Sequence, residues 1–198
     1  MHSLARELFP FPRSITGDGV RQTLRVLARE LPGLVVHEVP SGTSAFDWTV
    51  PNEWNIYGAR VTGPSGEQVI DFFDSNLHVV SYSEPVHTTI DKFALDQHIH
   101  SDPEIPESIP YVTSYYHPSW GICMADRDRQ RLSDGPYRVD IDSRLEPGSL
   151  SYGELLLHVP TRIHSRIDWI PAIHVTPSSF LAGKCCRRDQ LDVSRRRR

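Results

Sequence analysis

The sequence has too little cysteine for a disulfide-stabilised protein. Its 198 residues include three cysteines, with Cys123 alone and Cys185 beside Cys186, which is a poor disulfide framework and favours a reducing compartment. No apolar run approaches the roughly 20 residues that cross a membrane. Residues 1–8 also lack the cationic and apolar segments of a signal peptide. We therefore expect a cytoplasmic protein that neither crosses a membrane nor has a membrane partner.

The sequence contains none of the common motifs that indicate a particular reaction. No Cys-x-x-Cys, His-Glu-x-x-His, Gly-x-Ser-x-Gly or phosphate-loop pattern occurs, so motif spacing specifies no chemistry. Ten histidines are present, and the pair His98 and His100 would share one face of a strand, where zinc could bind. Surface histidines are the alternative, because no third ligand is fixed in the sequence. We predict neither a metal site nor a catalytic residue.

Charge is distributed unevenly along the chain. The net charge is −4, which gives no reason to expect nucleic acid as a ligand. Up to Leu157 there are 12 basic and 22 acidic residues, whereas from His158 onward there are 9 and 3. The last four residues, Arg195–Arg198, form a like-charged run that is typical of a disordered tail. The two parts of the chain therefore differ in the sign of their net charge, which is negative up to Leu157 and positive from His158 onward.

Apolar residues at helical spacing predict four short helices. The first ends at Pro10, because proline cannot continue a helix, and Asp18 is placed to cap the second. The predicted helices are Leu4–Phe9, Val20–Leu31, Ile90–Ile99 and Asp126–Leu132.

Short apolar runs separated by turns predict that the rest of the chain is rich in β-strands. Gly63-Pro64-Ser65-Gly66 separates two of these runs and is a plausible hairpin turn, so a meander is the simplest topology. The resulting fold class is α+β. The predicted strands are Leu34–Val39, Trp54–Thr62, Gln68–Phe72, Leu77–Tyr82, Tyr111–Tyr116, Gly121–Met124, Tyr137–Ile141 and Glu154–Leu157.

Two features of the sequence invite a binding role. The loop Arg13–Asp18 is the loop richest in hydrogen-bonding groups and precedes a helix N-terminus, which favours anions; a simple capping loop is the alternative. Aromatic residues cluster in or beside turns, where they could line a pocket or form ordinary core. These aromatic residues are Phe46, Trp48, Trp54, Tyr115, Tyr116 and Trp120.

A series of sequence motifs resembles a family of aminopeptidase-like proteins, in which similar motifs occur in the same order. Members are similar to M28-type zinc aminopeptidases with a β-rich inserted domain, the DUF4910/DUF2172 type. The resemblance runs from Leu4 to Leu157. The matching motifs are Leu8–Pro10, Arg13–Arg21, His37–Thr43, Phe46–Pro51, Glu53–Ile56, Ser75–Ser83, Ile109–Tyr116, Trp120-Gly121, Gly148–Leu150 and Tyr152–Glu154.

The resemblance implies a domain organisation. Family members have an α/β core with a mostly parallel sheet, interrupted by the β-rich insertion, and many continue into a winged-helix-like domain. Residues 1–34 would supply helices of the core, residues 35–145 the inserted domain, and residues 146–157 the start of the return to the core sheet. The family is associated with polysaccharide synthesis.

The resemblance also implies a site, with zinc as the cofactor of the intact family and a peptide or small molecule as its substrate. Arg13 would pair with a substrate carboxylate, while the hydroxyls of Ser14 and Thr16 would position it. The alternative is that Arg13 fixes the insertion against the core and Asp18 only caps the helix.

The sequence departs from the family pattern after Tyr152-Gly153-Glu154. The family continues into a Cys-His-Pro-Ser type motif and then Asp-Asn-Leu-Ser-Gly, whose histidine and first aspartate are metal ligands. Here Ile173–Ser178 is the nearest echo, and Thr176 takes the place of the ligand histidine. We therefore expect no cofactor in this chain, no aminopeptidase activity, and a non-family, disordered tail at residues 158–198.

Two alternatives to this truncated-enzyme reading stay open. The β-rich insertion could act as a binding module for a peptide, a carbohydrate or a protein partner through its aromatic turns. The chain could also be the unstable product of a truncated gene.

Overall fold

The structure, a computed structural model, describes residues 2–114 and 117–156. These residues form a mixed α+β fold that is rich in strands, as the sequence predicts. The helices are α1 (His2–Leu8), α2 (Asp18–Glu30), α3 (Lys92–Asp96) and α4 (Asp126–Arg129). The strands are β1 (Val35–Pro40), β2 (Ser44–Ala45), β3 (Trp48–Thr49), β4 (Glu53–Thr62), β5 (Gln68–Asp71), β6 (Val86–Asp91), β7 (Ile99–His100), β8 (Ile122–Cys123), β9 (Pro136–Glu146) and β10 (Ser149–Glu154).

The main core lies against a four-stranded antiparallel sheet with the strand order β5-β4-β9-β6. Alternate residues of β9 point inward, so that Tyr137, Val139 and Ile141 are completely buried. This is the period-2 alternation of a sheet with one face toward the core and one toward water. Leu95 and Ile122, from outside the sheet, complete the same core cluster.

The predicted meander is wrong. β4 and β5 do form a hairpin, but β9 lies between β4 and β6. The ten residues of β4 need a partner of similar length to pair their backbone groups, and the eleven-residue β9 provides it. The register between the two strands runs from Glu53 opposite Glu146 to Thr62 opposite Arg138.

A second, two-stranded sheet joins the chain on either side of the β-rich region. β1 pairs antiparallel with β10, with Val35 opposite Glu154 and Pro40 opposite Ser149. Helix α2 packs on this ribbon at Gly153, where an added Cβ would come within 3.0 Å of the Leu24 side chain. The small residue therefore permits the close approach of the helix. The division at residues 34, 145 and 157 stays a prediction.

Local backbone chemistry changes two predicted elements. The predicted strand at Leu77–Tyr82 is wrong: there is a 3-10 turn at Asn76–His78, and Tyr82 takes a φ of 70°, which ends extended structure. The short helix predicted within Ile90–Ile99 is present as α3, but β6 before it and β7 after it take up the ends of that range. The Asp91 side chain accepts a hydrogen bond from the Ala94 N–H and so starts α3 at Lys92.

The remaining predictions are met only in part. Thr113, in the predicted strand Tyr111–Tyr116, forms an isolated bridge with Ser81, and residues 115 and 116 are outside the described residues. β10 ends at Glu154, where the last predicted strand begins. The predicted tail at residues 158–198 also lies outside the described residues. Across residues 2–114 and 117–156, no helix is long and apolar enough to cross a membrane.

Candidate functional site

The loop that precedes α2 is packed against β4, and its two hydroxyl groups are used inside the protein. Thr16 is buried; its Oγ1 accepts a hydrogen bond from the Trp54 N–H at 3.1 Å and lies 2.6 Å from the hydroxyl of Tyr82. The buried Ser14 hydroxyl donates to the Thr16 carbonyl at 2.9 Å. These bonds satisfy polar groups that burial would otherwise leave without partners. Both side chains therefore stabilise the loop.

Arg13 anchors the same loop to the end of α1. Its Nη1 donates a hydrogen bond to the Leu8 carbonyl at 2.6 Å, and burial lowers the pKa of the Arg13 guanidinium. Arg13, Ser14 and Thr16 thus lie in one loop and each bonds to another residue of the protein. Their contact with a substrate stays a prediction.

The cap of α2 comes from a distant strand, and the prediction that Asp18 caps this helix is wrong. The N-cap position is Gly17, with a φ of 87° and no side-chain cap. The Asn55 Oδ1 atom on β4 instead accepts the Asp18 N–H at 2.8 Å. Gly17 permits this because a Cβ there would lie 2.2 Å from the Trp54 carbonyl oxygen. The helix start is therefore held by β4.

A nearly buried ion pair stands next to this cap. Arg21 on α2 donates two hydrogen bonds to the Glu53 carboxylate, at 2.9 and 2.5 Å. Glu53 also accepts from the Asn55 amide at 2.9 Å and from the Ser149 N–H at 3.2 Å. The Arg21 hydrogen bonds are the largest cause of a Glu53 pKa of about 2, because they stabilise the charged form. One carboxylate thus links α2, β4 and β10.

A cleft opens at the surface beside the helix start. Its volume is about 210 Å³. The exposed Gln22 and the carboxylate of Asp18, whose side chain is 65% exposed, lie on its wall. Tyr57 is half-exposed and carries the Arg144 guanidinium 5.3 Å from its ring centroid, a cation–π arrangement. The cleft is lined by Pro12, Asp18, Gly19, Gln22, Trp54, Asn55, Ile56 and Tyr57.

The predicted aromatic cluster is divided by the fold. Trp54 is buried, stacks on Tyr82 at 5.8 Å and donates its Nε1–H to the Ser83 carbonyl. Phe46, at the tip of the β2–β3 turn, is fully exposed with a φ of 57°. Trp54 therefore forms core and also lines the cleft. Tyr115 and Tyr116 are outside the described residues.

The predicted histidine pair serves the packing around β8. The His98 ring stacks on Trp120 at 3.7 Å, and its Nδ1 lies 3.1 Å from the Trp120 carbonyl oxygen. His100 lies on β7 opposite Cys123, whose thiol is buried and has its pKa raised to about 12 by that burial. Within the described ranges, no three His, Cys, Asp or Glu side chains form a group that could hold a metal. The zinc ligands that the resemblance implies belong to motifs after Glu154, and the nearest echo of those motifs, at residues 173–178, lies outside the described residues.

Sequence reasoning missed Glu53 and Asn55 as organisers of the site. Both are polar residues at the start of a strand, flanking the buried Trp54, and no helix signal points to them. Their polar character in an otherwise apolar segment is the only local signal. Their function depends on α2 lying against β4.

Comparison with known proteins finds a similar domain. Residues 53–144 match the model of a domain of unknown function, DUF2172. This part of the chain is therefore similar to that domain. This range runs from the start of β4 almost to the end of β9, and so includes the whole four-stranded sheet.

A curated relative extends the similarity beyond that domain. The protein of Clostridium acetobutylicum named "Putative polysaccharide biosynthesis protein with aminopeptidase-like domain" is 51% identical over 154 residues. The match covers 78% of this chain and 35% of the relative, so the chain spans about a third of that relative's length.

A solved structure has the same fold. It is a crystal structure of a "putative peptidase" from Clostridium acetobutylicum, 51% identical, with a TM-score of 0.73. The similarity covers 77% of this chain and 36% of that chain. The chain is thus similar to part of an aminopeptidase-like protein.

Proposed function

We propose that this chain forms a non-catalytic, β-rich part of a zinc-dependent, M28-type aminopeptidase-like protein of the DUF4910/DUF2172 type, and that alone it has no peptidase activity. The observation that carries this proposal is the 51% identity and TM-score of 0.73 to the clostridial peptidase-like structure. The match covers 36% of that protein. In this proposal, the catalytic residues of the whole protein lie outside the matched region. Its compartment is the cytoplasm, and its pathway polysaccharide biosynthesis.

The geometry of the site supports a structural role for most of the matched region. A metal-dependent peptidase needs an open zinc position, a polarised water and a carboxylate base. The Glu53 carboxylate beside α2 instead accepts hydrogen bonds from Arg21, Asn55 and Ser149. The hydroxyls of Ser14 and Thr16 are likewise used within the chain. These groups hold α2, β4 and β10 together and are not poised to react.

Metal analysis and a peptidase assay test this proposal. We expect the purified chain to bind no stoichiometric zinc and to release no product from aminoacyl-p-nitroanilide substrates. The full-length clostridial relative, assayed in parallel, is the control for the substrate panel. One tightly bound zinc per chain that is lost on His174→Ala, together with turnover, would overturn the proposal.

The cleft beside α2 favours a second candidate function, the binding of a small polar ligand. Its wall combines a half-exposed aromatic ring, Tyr57, with the polar side chains of Asp18 and Gln22, the mixture that ligand sites use for contact area and orientation. The candidate ligands are a dipeptide and a monosaccharide. Titrating each against the ¹⁵N-labelled chain, with Tyr57→Ala as the comparison, would show which one shifts the amides of Gln22 and Tyr57; unchanged spectra with both would exclude this function.

A further inference from the structure

Two exposed aromatic rings lie on the outer face of the four-stranded sheet, the face turned away from the core. Tyr57 on β4 is 47% exposed, and Phe73, two residues after the end of β5, is 79% exposed. A Cβ added at Gly58 would lie 3.6 Å from the Phe73 ring. The Phe73 ring therefore lies beside the backbone of a residue that has no side chain of its own.

An acidic and a basic side chain lie on the same face of the sheet. On β9, Asp142 and Arg144 are exposed while the intervening Ser143 is buried, because successive residues of a strand point to opposite faces. Asp142 is opposite Gly58 in the pairing of β9 with β4. The Arg144 guanidinium lies 5.3 Å from the Tyr57 ring centroid. Two rings, a carboxylate and a guanidinium are thus grouped around Gly58.

Local contacts hold the two rings in place. The Asp71 carboxylate accepts a hydrogen bond from the Phe73 N–H at 2.9 Å and another from the Arg60 guanidinium at 2.9 Å, which fixes the backbone that carries the Phe73 ring. The pairing register of β4 with β9 shifts at Tyr57, and a bulge of this kind re-aims a side chain. The surface is therefore shaped before any ligand binds.

The charges on this face favour a ligand that is neutral and rich in hydroxyl groups. Asp142 and Arg144 contribute one charge of each sign, so an anion would be repelled by the first and a cation by the second. An apolar ligand would leave both charges without partners. A sugar ring satisfies all of the groups, because its apolar face stacks on an aromatic ring while its hydroxyls donate to a carboxylate and accept from a guanidinium. The other arginines of this face are already paired with aspartate: Arg60 with Asp71 at 2.9 Å and Arg138 with Asp140 at 2.8 Å.

We propose that this outer face, formed by Tyr57, Gly58, Phe73, Asp142 and Arg144, binds a neutral oligosaccharide. Phe73 stacks on the apolar face of a sugar ring, Asp142 accepts hydrogen bonds from its hydroxyls and Arg144 donates to them. The choice of a sugar rests in part on the proposed function, because that function includes a polysaccharide pathway. The site is larger than the cleft beside α2 and shares only Tyr57 with it.

A glycan microarray followed by titration calorimetry tests the proposal with the full 198-residue chain. The array presents neutral and acidic oligosaccharide fragments of bacterial and plant polysaccharides, and the neutral one with the strongest signal is titrated. We expect saturable binding that Phe73→Ala weakens at least roughly tenfold, because the variant removes the stacking ring. Asp142→Asn should weaken binding about fivefold, because it replaces a charged acceptor with a neutral one.

The matched control is Phe93→Ala, the same change at a phenylalanine that is 78% exposed. Phe93 lies on α3 directly after β6, at the opposite edge of the sheet from β5. We expect this variant to bind as the wild type does and both variants to keep the wild-type melting temperature. Titration of the ¹⁵N-labelled chain gives a second readout, since the amides of Gly58 and Phe73 should shift and that of Phe93 should not.

Three outcomes would overturn the inference: binding of no glycan or of acidic glycans alone, wild-type affinity in Phe73→Ala, or equal losses in the Phe73 and Phe93 variants. Failure of the proposed function is distinguishable, because it is measured by zinc content and peptidase turnover. A chain that binds zinc and turns over substrate contradicts the non-catalytic role and leaves the sugar site standing. A chain without zinc, turnover or bound glycan contradicts only the sugar site.

Discussion

The guanidinium of Arg21 on α2 donates two hydrogen bonds to the carboxylate of Glu53 on β4. The two side chains are 21% and 12% exposed, so water screens the pair less than it screens an exposed one. Glu53 also accepts the Ser149 N–H. The pair therefore fastens the helix, the main sheet and the β1–β10 ribbon at one point.

Replacing Glu53 should destabilise the protein in a pH-dependent way. Glu53→Gln removes the negative charge and leaves one acceptor oxygen in place of two, which should cost about 2 kcal/mol at pH 7. The folded-state pKa of Glu53 is lowered from 4.5 to about 2, so the stabilisation is fully present above pH 4.5 and is lost as the pH falls towards 2. Urea unfolding of the wild type and the variant at pH 7 and pH 3 measures this difference, which should shrink at the lower pH.

Glu7→Gln is the control for that measurement. Glu7 also pairs with an arginine, Arg29, but the two side chains are 43% and 57% exposed. We expect a loss of less than about 0.5 kcal/mol, as for most surface pairs. Equal losses in the Glu7 and Glu53 variants would contradict the special role of the Arg21–Glu53 pair.

Thr16 should be sensitive to loss of its hydroxyl and tolerant of loss of its methyl group. Thr16→Val leaves the buried Trp54 N–H without its acceptor, which should cost about 1–3 kcal/mol. Thr16→Ser keeps the oxygen and should cost less. Thermal unfolding of the two variants side by side checks the order; a serine variant less stable than the valine variant would show that packing dominates.

We expect Asn55 to be the residue that caps α2. Asn55→Ala removes the acceptor for the Asp18 N–H and should lower the unfolding free energy by about 1 kcal/mol, the usual value of an N-cap. Asp18→Ala removes only an exposed contact with Arg21 and should cost less than about 0.5 kcal/mol. Chemical denaturation monitored by circular dichroism compares them, and a larger loss in the Asp18 variant would restore the original cap prediction.

The proposed substrate role of Arg13 is best tested in the full-length clostridial relative. Replacing the residue that matches Arg13 with Ala should lower turnover while the melting temperature stays nearly constant. In this structure Arg13 also donates to the Leu8 carbonyl, so a structural role predicts parallel losses of turnover and stability. The two measurements on one variant therefore separate the two roles.

The spacing of apolar residues predicted the helices and strands that are set by residues close together in the sequence. The apolar stripe from Val20 to Leu31 corresponds to α2, and the alternation in Tyr137–Ile141 corresponds to the buried face of β9. It failed at Leu77–Tyr82, where the positive φ of Tyr82 breaks the extended chain. An apolar run of that length does not by itself distinguish a strand from a turn in the core.

The sequence by itself determined the α+β class, the β-rich middle of the chain, the loop Arg13–Asp18 and the resemblance to aminopeptidase-like proteins. Only the tertiary structure decided that β9 lies between β4 and β6, that Asn55 caps α2, and that Glu53 joins three elements. The physical reason is distance along the chain: these bonds and strand pairs link residues dozens of positions apart. No local pattern records which distant partner will satisfy a buried polar group or a strand edge.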